Sequence, residues 1–137
     1  HFHDCFVQGC DGSVLISSNP GSKELPEKVT EDNRDIPADA YDVIEKAKAM
    51  VERTCPGVVS CADILAIAAR DYLHLAGGPY YPVKKGRWDG KQKPMASLVY
   101  SNIPHANSTI DDLIKLFSSK GLTLNDLVVL SGAHTLG

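Results

Sequence analysis

The chain has 137 residues, 43% of them apolar and 23% charged, with a formal charge of −3. That size and composition suit one modest globular domain with a real core and argue against a disordered chain. The mild acidity, without any basic run, excludes a nucleic-acid footprint and a membrane-surface patch, and no apolar stretch is long enough to span a bilayer.

The chain opens with His1-Phe2-His3-Asp4-Cys5 and stops within Leu130-Ser131-Gly132-Ala133-His134-Thr135-Leu136-Gly137. Natural termini are usually bland, so the sequence is expected to be an internal piece of a longer protein. If the opening is helical, His1 and His3 point different ways and do not chelate together. Taken alone, one such histidine is most simply a structural imidazole. A copper or zinc module built on His1, His3 and Cys5 would need further ligands, which His74 and His105 are not spaced to supply. Asp4, Asp11 and Ser13 place hard oxygen donors within ten residues, with Val7 and Gly9 between them. Carboxylates, a hydroxyl and backbone carbonyls on one short loop suit Ca²⁺. The four cysteines, Cys5, Cys10, Cys55 and Cys61, permit two disulfides in any of three pairings, with zinc ligation as the rival use.

Ser17 to Asp39 reads as a loop, with Pro20-Gly21 marking a turn. Asp42 to Thr54 reads as a helix with Val43, Ile44, Ala47, Met50 and Val51 on one stripe, ended by Pro56-Gly57. Ser60-Cys61-Ala62-Asp63 resembles a capping box, and Ile64 to Ala69 follow with almost no polar residue, as in a helix buried on most sides. Gly77 to Gly90 reads as turns with room for a short hairpin. Ser108-Thr109-Ile110-Asp111 repeats the cap pattern, Ile110, Leu113, Ile114 and Phe117 form the stripe, and Gly121 ends that helix. A shorter helix starts at Thr123 with Asp126 at the acid position, runs through Leu130, and delivers His134 just past its end. The class is mainly α. Asn107-Ser108-Thr109 is a glycosylation sequon.

His1 to Ser13, reading His-Phe-His-Asp-Cys-Phe-Val-Gln-Gly-Cys-Asp-Gly-Ser, resembles the distal haem motif of secretory plant (class III) peroxidases. Val59-Ser60-Cys61-Ala62-Asp63-Ile64-Leu65 resembles their second signature, and Leu130 to Thr135 resembles their proximal haem-ligand motif. The motifs come in the family's order and span the chain. The ascorbate-type relatives carry Trp where Phe2 sits.

The resemblance implies a mainly α, plant-type haem peroxidase fold with haem between two helical halves. Residues 1–105 would supply most of the distal half and residues 106–137 the start of the proximal half. The cofactors implied are haem b and two Ca²⁺. His134 would be the axial ligand on iron, His3 the distal acid–base residue, and Asn33 the residue orienting His3. Glu27 would link that network to the distal calcium, and Phe2 would pack beside the iron centre. Asp4, Val7, Gly9, Asp11 and Ser13 would hold the distal Ca²⁺. Thr135 would be one ligand of the proximal Ca²⁺, and Pro104 would stand beside the donor channel. Cys5 would pair with Cys10, and Cys55 and Cys61 with cysteines outside this sequence.

The implied reaction reduces hydrogen peroxide by two electrons and oxidises two phenolic donors by one electron each. The setting implied is a monomer secreted to the extracellular space and cell wall, or sent to the vacuole. The family's distal arginine would lie upstream of His1 and the proximal aspartate downstream of Gly137, so the 137 residues alone are expected to be a poor catalyst. Ile36 to Tyr41 departs from the Leu-Arg-Gly-Phe of many members and adds a residue. A calcium-stabilised secreted homologue without catalysis is the alternative reading.

Overall fold

The computed structural model describes residues 1–17, 23–91 and 96–136, so the turn expected at Pro20-Gly21 lies outside the described residues. The elements are helices α1 (Phe2–Gln8), α2 (Ala38–Thr54), α3 (Cys61–Leu75), α4 (Ala96–Asn102), α5 (Ile110–Ser119) and α6 (Leu124–Ser131). Short 3₁₀ turns occupy Ser13–Leu15, Glu27–Val29 and Gly132–Leu136, and there is no strand among the described residues. The mainly α class is as expected.

Local chemistry explains the helix ends. Thr123 and Asp126 make a full capping box: the Asp126 amide donates to the Thr123 hydroxyl, and the Thr123 amide donates to the Asp126 carboxylate. Two orphan N–H groups are thereby satisfied at the start of α6. The α5 cap is Thr109 with Asp112, one residue later than the Ser108–Asp111 reading, because the Thr109 hydroxyl is the group that reaches an amide. Gly121 closes α5 at φ +74°, and Leu122 donates back to the Phe117 carbonyl, as in a left-handed C-terminal cap. Helix α2 begins four residues before the expected Asp42, at Ala38 behind Pro37, whose fixed φ suits a helix entry.

One core joins α1, α4, α5 and α6. Phe6, Val7, Val99, Ile103, Phe117 and Leu127 are buried together, with Phe2 and Leu113 against them. Phe6 stacks on Phe2 at 4.0 Å and meets Phe117 edge-on at 5.0 Å. Lys120, just past α5, reaches the Val7 carbonyl of α1 and the Asn102 side chain of α4. The distal opening and the later helices are therefore one packed body.

Three expectations change. The α2 stripe is only half used: Ile44 is buried, but Val43 and Met50 face solvent. Helix α3 is less enclosed than its composition suggested, with Ile64 and Ala66 buried but Leu65, Ile67 and Ala68 only half-buried. No hairpin forms between Gly77 and Gly90. That segment lies along α3 as a strap, because the Asp63 carboxylate of α3 accepts where a partner strand would offer carbonyls. Asp63 accepts from the Gly86 and Arg87 amides at 2.6 and 3.2 Å and from the Arg87 guanidinium. In return Asp89 accepts from the Cys61 and Ala62 amides at the start of α3. Ser60 caps α3, but the Asp63 carboxylate turns to the strap instead of completing a box.

Burial alone would raise the Asp63 carboxyl, but the donors from Gly86 and Arg87 outweigh it and hold it below the ordinary range. A depressed carboxyl stabilises the fold above its unfolded pKa and loses that contribution as pH falls through the folded value. Asp63→Asn is therefore expected to cost about 1–3 kcal/mol at neutral pH and to speed amide exchange at Gly86 and Arg87. In denaturant titrations the gap to wild type should close as the pH is lowered.

Candidate functional site

Helix α1 sends three successive side chains to three places. Phe2 turns toward the aromatic core, His3 faces a cleft, and Asp4 is fully buried toward the 3₁₀ turn Ser13–Leu15. This follows from the helical rotation of about 100° per residue.

His3 is held by a hydrogen-bonded chain. Its Nδ1 lies 2.7 Å from Asn33 Oδ1, across 30 residues of sequence. Asn33 is buried, and its Nδ2 donates to the Glu27 carbonyl at 3.0 Å. That second bond orients the amide, so Oδ1 is the atom facing His3 and the imidazole proton sits on Nδ1. Nε2 is left as the free lone pair, able to accept a proton. The Thr30 hydroxyl also donates to the Glu27 carbonyl, at 2.7 Å. The Glu27 carboxylate accepts from the Ser13 hydroxyl at 3.1 Å, so the chain runs from the acidic loop to the cleft through Ser13, Glu27, Asn33 and His3.

The acidic loop is rigidly built. The Cys5–Cys10 disulfide closes it. Asp4 accepts from the Gly12 and Val14 amides, and Asp11 accepts from the Ser13 amide. Asp11 lies against Gly90, where a Cβ would come within 2.4 Å of a carboxylate oxygen. Burial raises Asp4, partly offset by its amide donors. Glu27 is pushed up to about 6, by burial first, against its Ser13 hydrogen bond, and by the Asp11 and Asp4 charges. Glu27 Oε1 is buried and has no partner. Carboxylates that repel one another, an orphaned buried oxygen and hard oxygen donors on one loop fit a calcium ion. His1, Cys5 and Cys10 are the one trio of candidate ligands clustered within 4.8 Å among the described residues. With both sulfurs in a disulfide, that trio offers no thiolate, which overturns the copper or zinc module on His1, His3 and Cys5.

The cleft itself measures about 550 Å³ and is lined by His3, Phe2, Pro104, Phe117, Leu127 and His134, among others. His3 and His134 on one largely apolar cleft of this size fit a haem: one nitrogen base to ligate iron, another positioned by a neighbour, and apolar walls for the macrocycle. His134 lies in the 3₁₀ turn Gly132–Leu136 and is exposed, with no polar partner among the described residues. Thr135 is exposed on the same turn, remote in sequence from the loop carrying Asp4 and Asp11. Cys55 and Cys61 are free thiols.

Two cleft residues were not singled out from the sequence. Asp32 and His105 line the same cleft. The available signal was adjacency: Asp32 precedes Asn33, and His105 follows Pro104.

The Peroxidase family model matches residues 1–137. The chain is 63% identical to Peroxidase 19 of Arabidopsis thaliana over 136 residues, covering 99% of this chain and 39% of that protein. It is 48% identical to Peroxidase 41 of the same plant, covering 99% and 41%. It is 49% identical to Peroxidase 5 of Vitis vinifera, covering 100% and 40%. The chain thus spans about two fifths of the length of the curated relatives it matches.

Asn33→Leu is expected to release the His3 ring and leave the Glu27 carbonyl with one donor fewer, at a cost of about 1–3 kcal/mol. In ¹⁵N-resolved NMR, the single Nδ1–H tautomer of His3 should give way to a mixture.

Proposed function

The chain belongs to the peroxidase family, in its plant (class III) branch, and on that premise we propose that the parent protein reduces hydrogen peroxide and oxidises phenolic donors one electron at a time. Residues 1–105 form most of its distal half and residues 106–137 the start of its proximal half. The observation that carries the reading is the pairing of a tightly oriented imidazole, His3, with an unpartnered one, His134, on a single cleft.

His134 would hold the iron of haem b, with Phe2 packed nearby. Bound haem supplies the electrons that reduce peroxide and the oxidising equivalents then passed to donors. His3 takes a proton from one peroxide oxygen at Nε2 and returns it to the other as water leaves. Asn33 keeps Nδ1 occupied, so Nε2 alone handles the proton. Glu27 ties Asn33 to the acidic loop, so the position of His3 depends on that loop. Asp4, Val7, Gly9, Asp11 and Ser13 would hold a distal Ca²⁺, and Thr135 would contribute to a proximal one. Pro104 forms the wall where donors approach. The balance is one hydrogen peroxide and two phenols giving two waters and two phenoxyl radicals.

The Cys5–Cys10 disulfide supports an oxidising compartment, and Asn107 in the sequon is exposed. Both favour secretion to the cell wall or delivery to the vacuole. No helix among the described residues is long and apolar enough to cross a membrane.

The deciding experiment loads the full-length parent with haem and measures peroxide-dependent oxidation of a phenol. His3→Leu should slow the reaction with peroxide about 10²–10⁴-fold while haem stays bound. His134→Ala should abolish the haem absorption band of the wild type. A parent that binds haem and oxidises no phenol would instead be the non-catalytic homologue. Removing calcium with a chelator should lower the unfolding midpoint, and Asp4→Asn should remove most of that calcium response.

A further inference from the structure

The strap between Gly77 and Gly90 carries a side chain for which the cleft chemistry has no use. Trp88 stands on it, 82% exposed. The backbone on either side is anchored. The Asp63 carboxylate of α3 takes the Gly86 and Arg87 amides, and the Asp89 carboxylate takes the Cys61 and Ala62 amides. The Gly90 amide donates to the Asp11 carbonyl at 2.8 Å. The indole is therefore presented outward from a fixed backbone, and a ligand that stacks on it has little backbone ordering to overcome.

Cations flank the ring. Lys91 Nζ lies 5.9 Å from its centre. Lys84 and Lys85 come just before it, on a turn closed by the bond from the Arg87 guanidinium to the Lys84 carbonyl, with Gly86 at φ +107°. The other two charges of the stretch turn inward: Arg87 pairs with Asp63, and Asp89 faces the start of α3. The strap thus shows solvent an indole with Lys84, Lys85 and Lys91, all exposed. These lysines alternate with the anchoring residues, which is why no basic run marks the patch in the sequence. They also keep this edge at the surface of the parent, whatever packs on its other faces, because lysine is almost never fully buried without a paired charge.

Tyr80 is not a second platform. Arg70 lies over its ring at 4.5 Å, and His74 meets it edge-on at 5.6 Å. One outward indole with flanking ammonium groups suits a chain of acidic sugars. The apolar face of a sugar ring lies on the indole, and the uronate carboxylates pair with the lysines. A nucleic-acid strand is better served by a charged groove with successive aromatic platforms.

We propose that Lys84, Lys85, Trp88 and Lys91 form a binding surface for an acidic polysaccharide built of uronate units. The inference goes beyond the peroxidase reading and does not rest on it.

The test uses the full-length protein without peroxide. The probe is polygalacturonate, compared with its fully methyl-esterified form and with single-stranded DNA. Dissociation constants are measured by titration calorimetry over a range of salt. Polygalacturonate should bind more tightly than either comparison, and more weakly as salt rises. Trp88→Ala should weaken it about three- to tenfold, and Trp88→Phe much less. Lys84→Gln combined with Lys85→Gln should weaken it by a similar factor and flatten the salt dependence. Equal affinity in wild type and Trp88→Ala, or for polygalacturonate and its ester, would overturn the proposal. DNA bound as tightly as polygalacturonate would overturn it too, leaving a general polyanion patch. Acrylamide should quench the fluorescence that Trp88→Phe removes. A Trp88 shielded from acrylamide in the full-length protein would overturn the proposal as well. Should the variants not fold, a salt-independent wild-type affinity would overturn it equally. If polygalacturonate binds through Trp88 to a parent that oxidises no phenol, the peroxidase reading fails and the surface stands.

Discussion

The site depends on the hydrogen bond between His3 Nδ1 and Asn33 Oδ1. An imidazole has two nitrogens, and which one carries the proton decides what the ring can do. Here the choice is made two bonds away. Because the Glu27 carbonyl takes the Asn33 N–H, only the Asn33 oxygen remains for His3. Because Thr30 and the 3₁₀ turn fix the Glu27 backbone, that carbonyl stays in place. A catalytic-type geometry at the cleft is thus specified by backbone packing some distance from it, and burial of Asn33 keeps water from competing for either bond.

The other end of the same chain is electrostatically unfinished. Burial first, and then the charges around them, raise the proton affinity of Asp4 and Glu27: Asp11 acts on both, and Asp4 on Glu27. Burying several carboxylates without a cation is costly. The amide donors of Gly12, Ser13 and Val14 offset part of that cost, and the orphaned Glu27 oxygen shows that they do not offset all of it. A bound cation would complete the balance and stiffen the loop. Through Ser13 and Glu27, that stiffness would reach His3. On the proposed reading, calcium acts on the peroxide chemistry by fixing a proton acceptor, with no contact to the reacting atoms.

Much of this was legible in the sequence where chemistry is local. The Thr123–Asp126 box, the Gly121 terminus and the placement of His134 just past the last helix follow from short-range rules, and the structure agrees. The His3–Asn33 pairing was reached only through family resemblance, since no spacing rule connects residues 30 apart. The divergent Ile36 to Tyr41 segment lies downstream of Asn33, at the entry to α2. What was misread depended on tertiary partners. The turns read between Gly77 and Gly90 left room for a short hairpin, because nothing in that segment announces that its donors will be met by Asp63 of α3. The one-residue shift of the α5 cap reflects two adjacent hydroxyls, Ser108 and Thr109, either of which satisfies the sequence pattern.

Of the histidines on the cleft, His3 and His134 are built in opposite ways, and the difference matches the two jobs proposed for them. His3 sits on a helix welded into the aromatic core by Phe2 and Phe6, and its ring is held by a buried amide. A proton shuttle needs such fixed direction, because transfer falls away steeply once the acceptor leaves hydrogen-bond reach. His134 sits on an exposed 3₁₀ turn beyond α6, where only Leu127 is buried, and nothing polar holds its ring among the described residues. A metal ligand can accept that freedom, since the coordinate bond itself supplies the orientation once formed, and a neighbour then adjusts its basicity. On the proposed reading, the ring of His3 takes its direction from Asn33, whereas that of His134 would take its direction from the iron it holds.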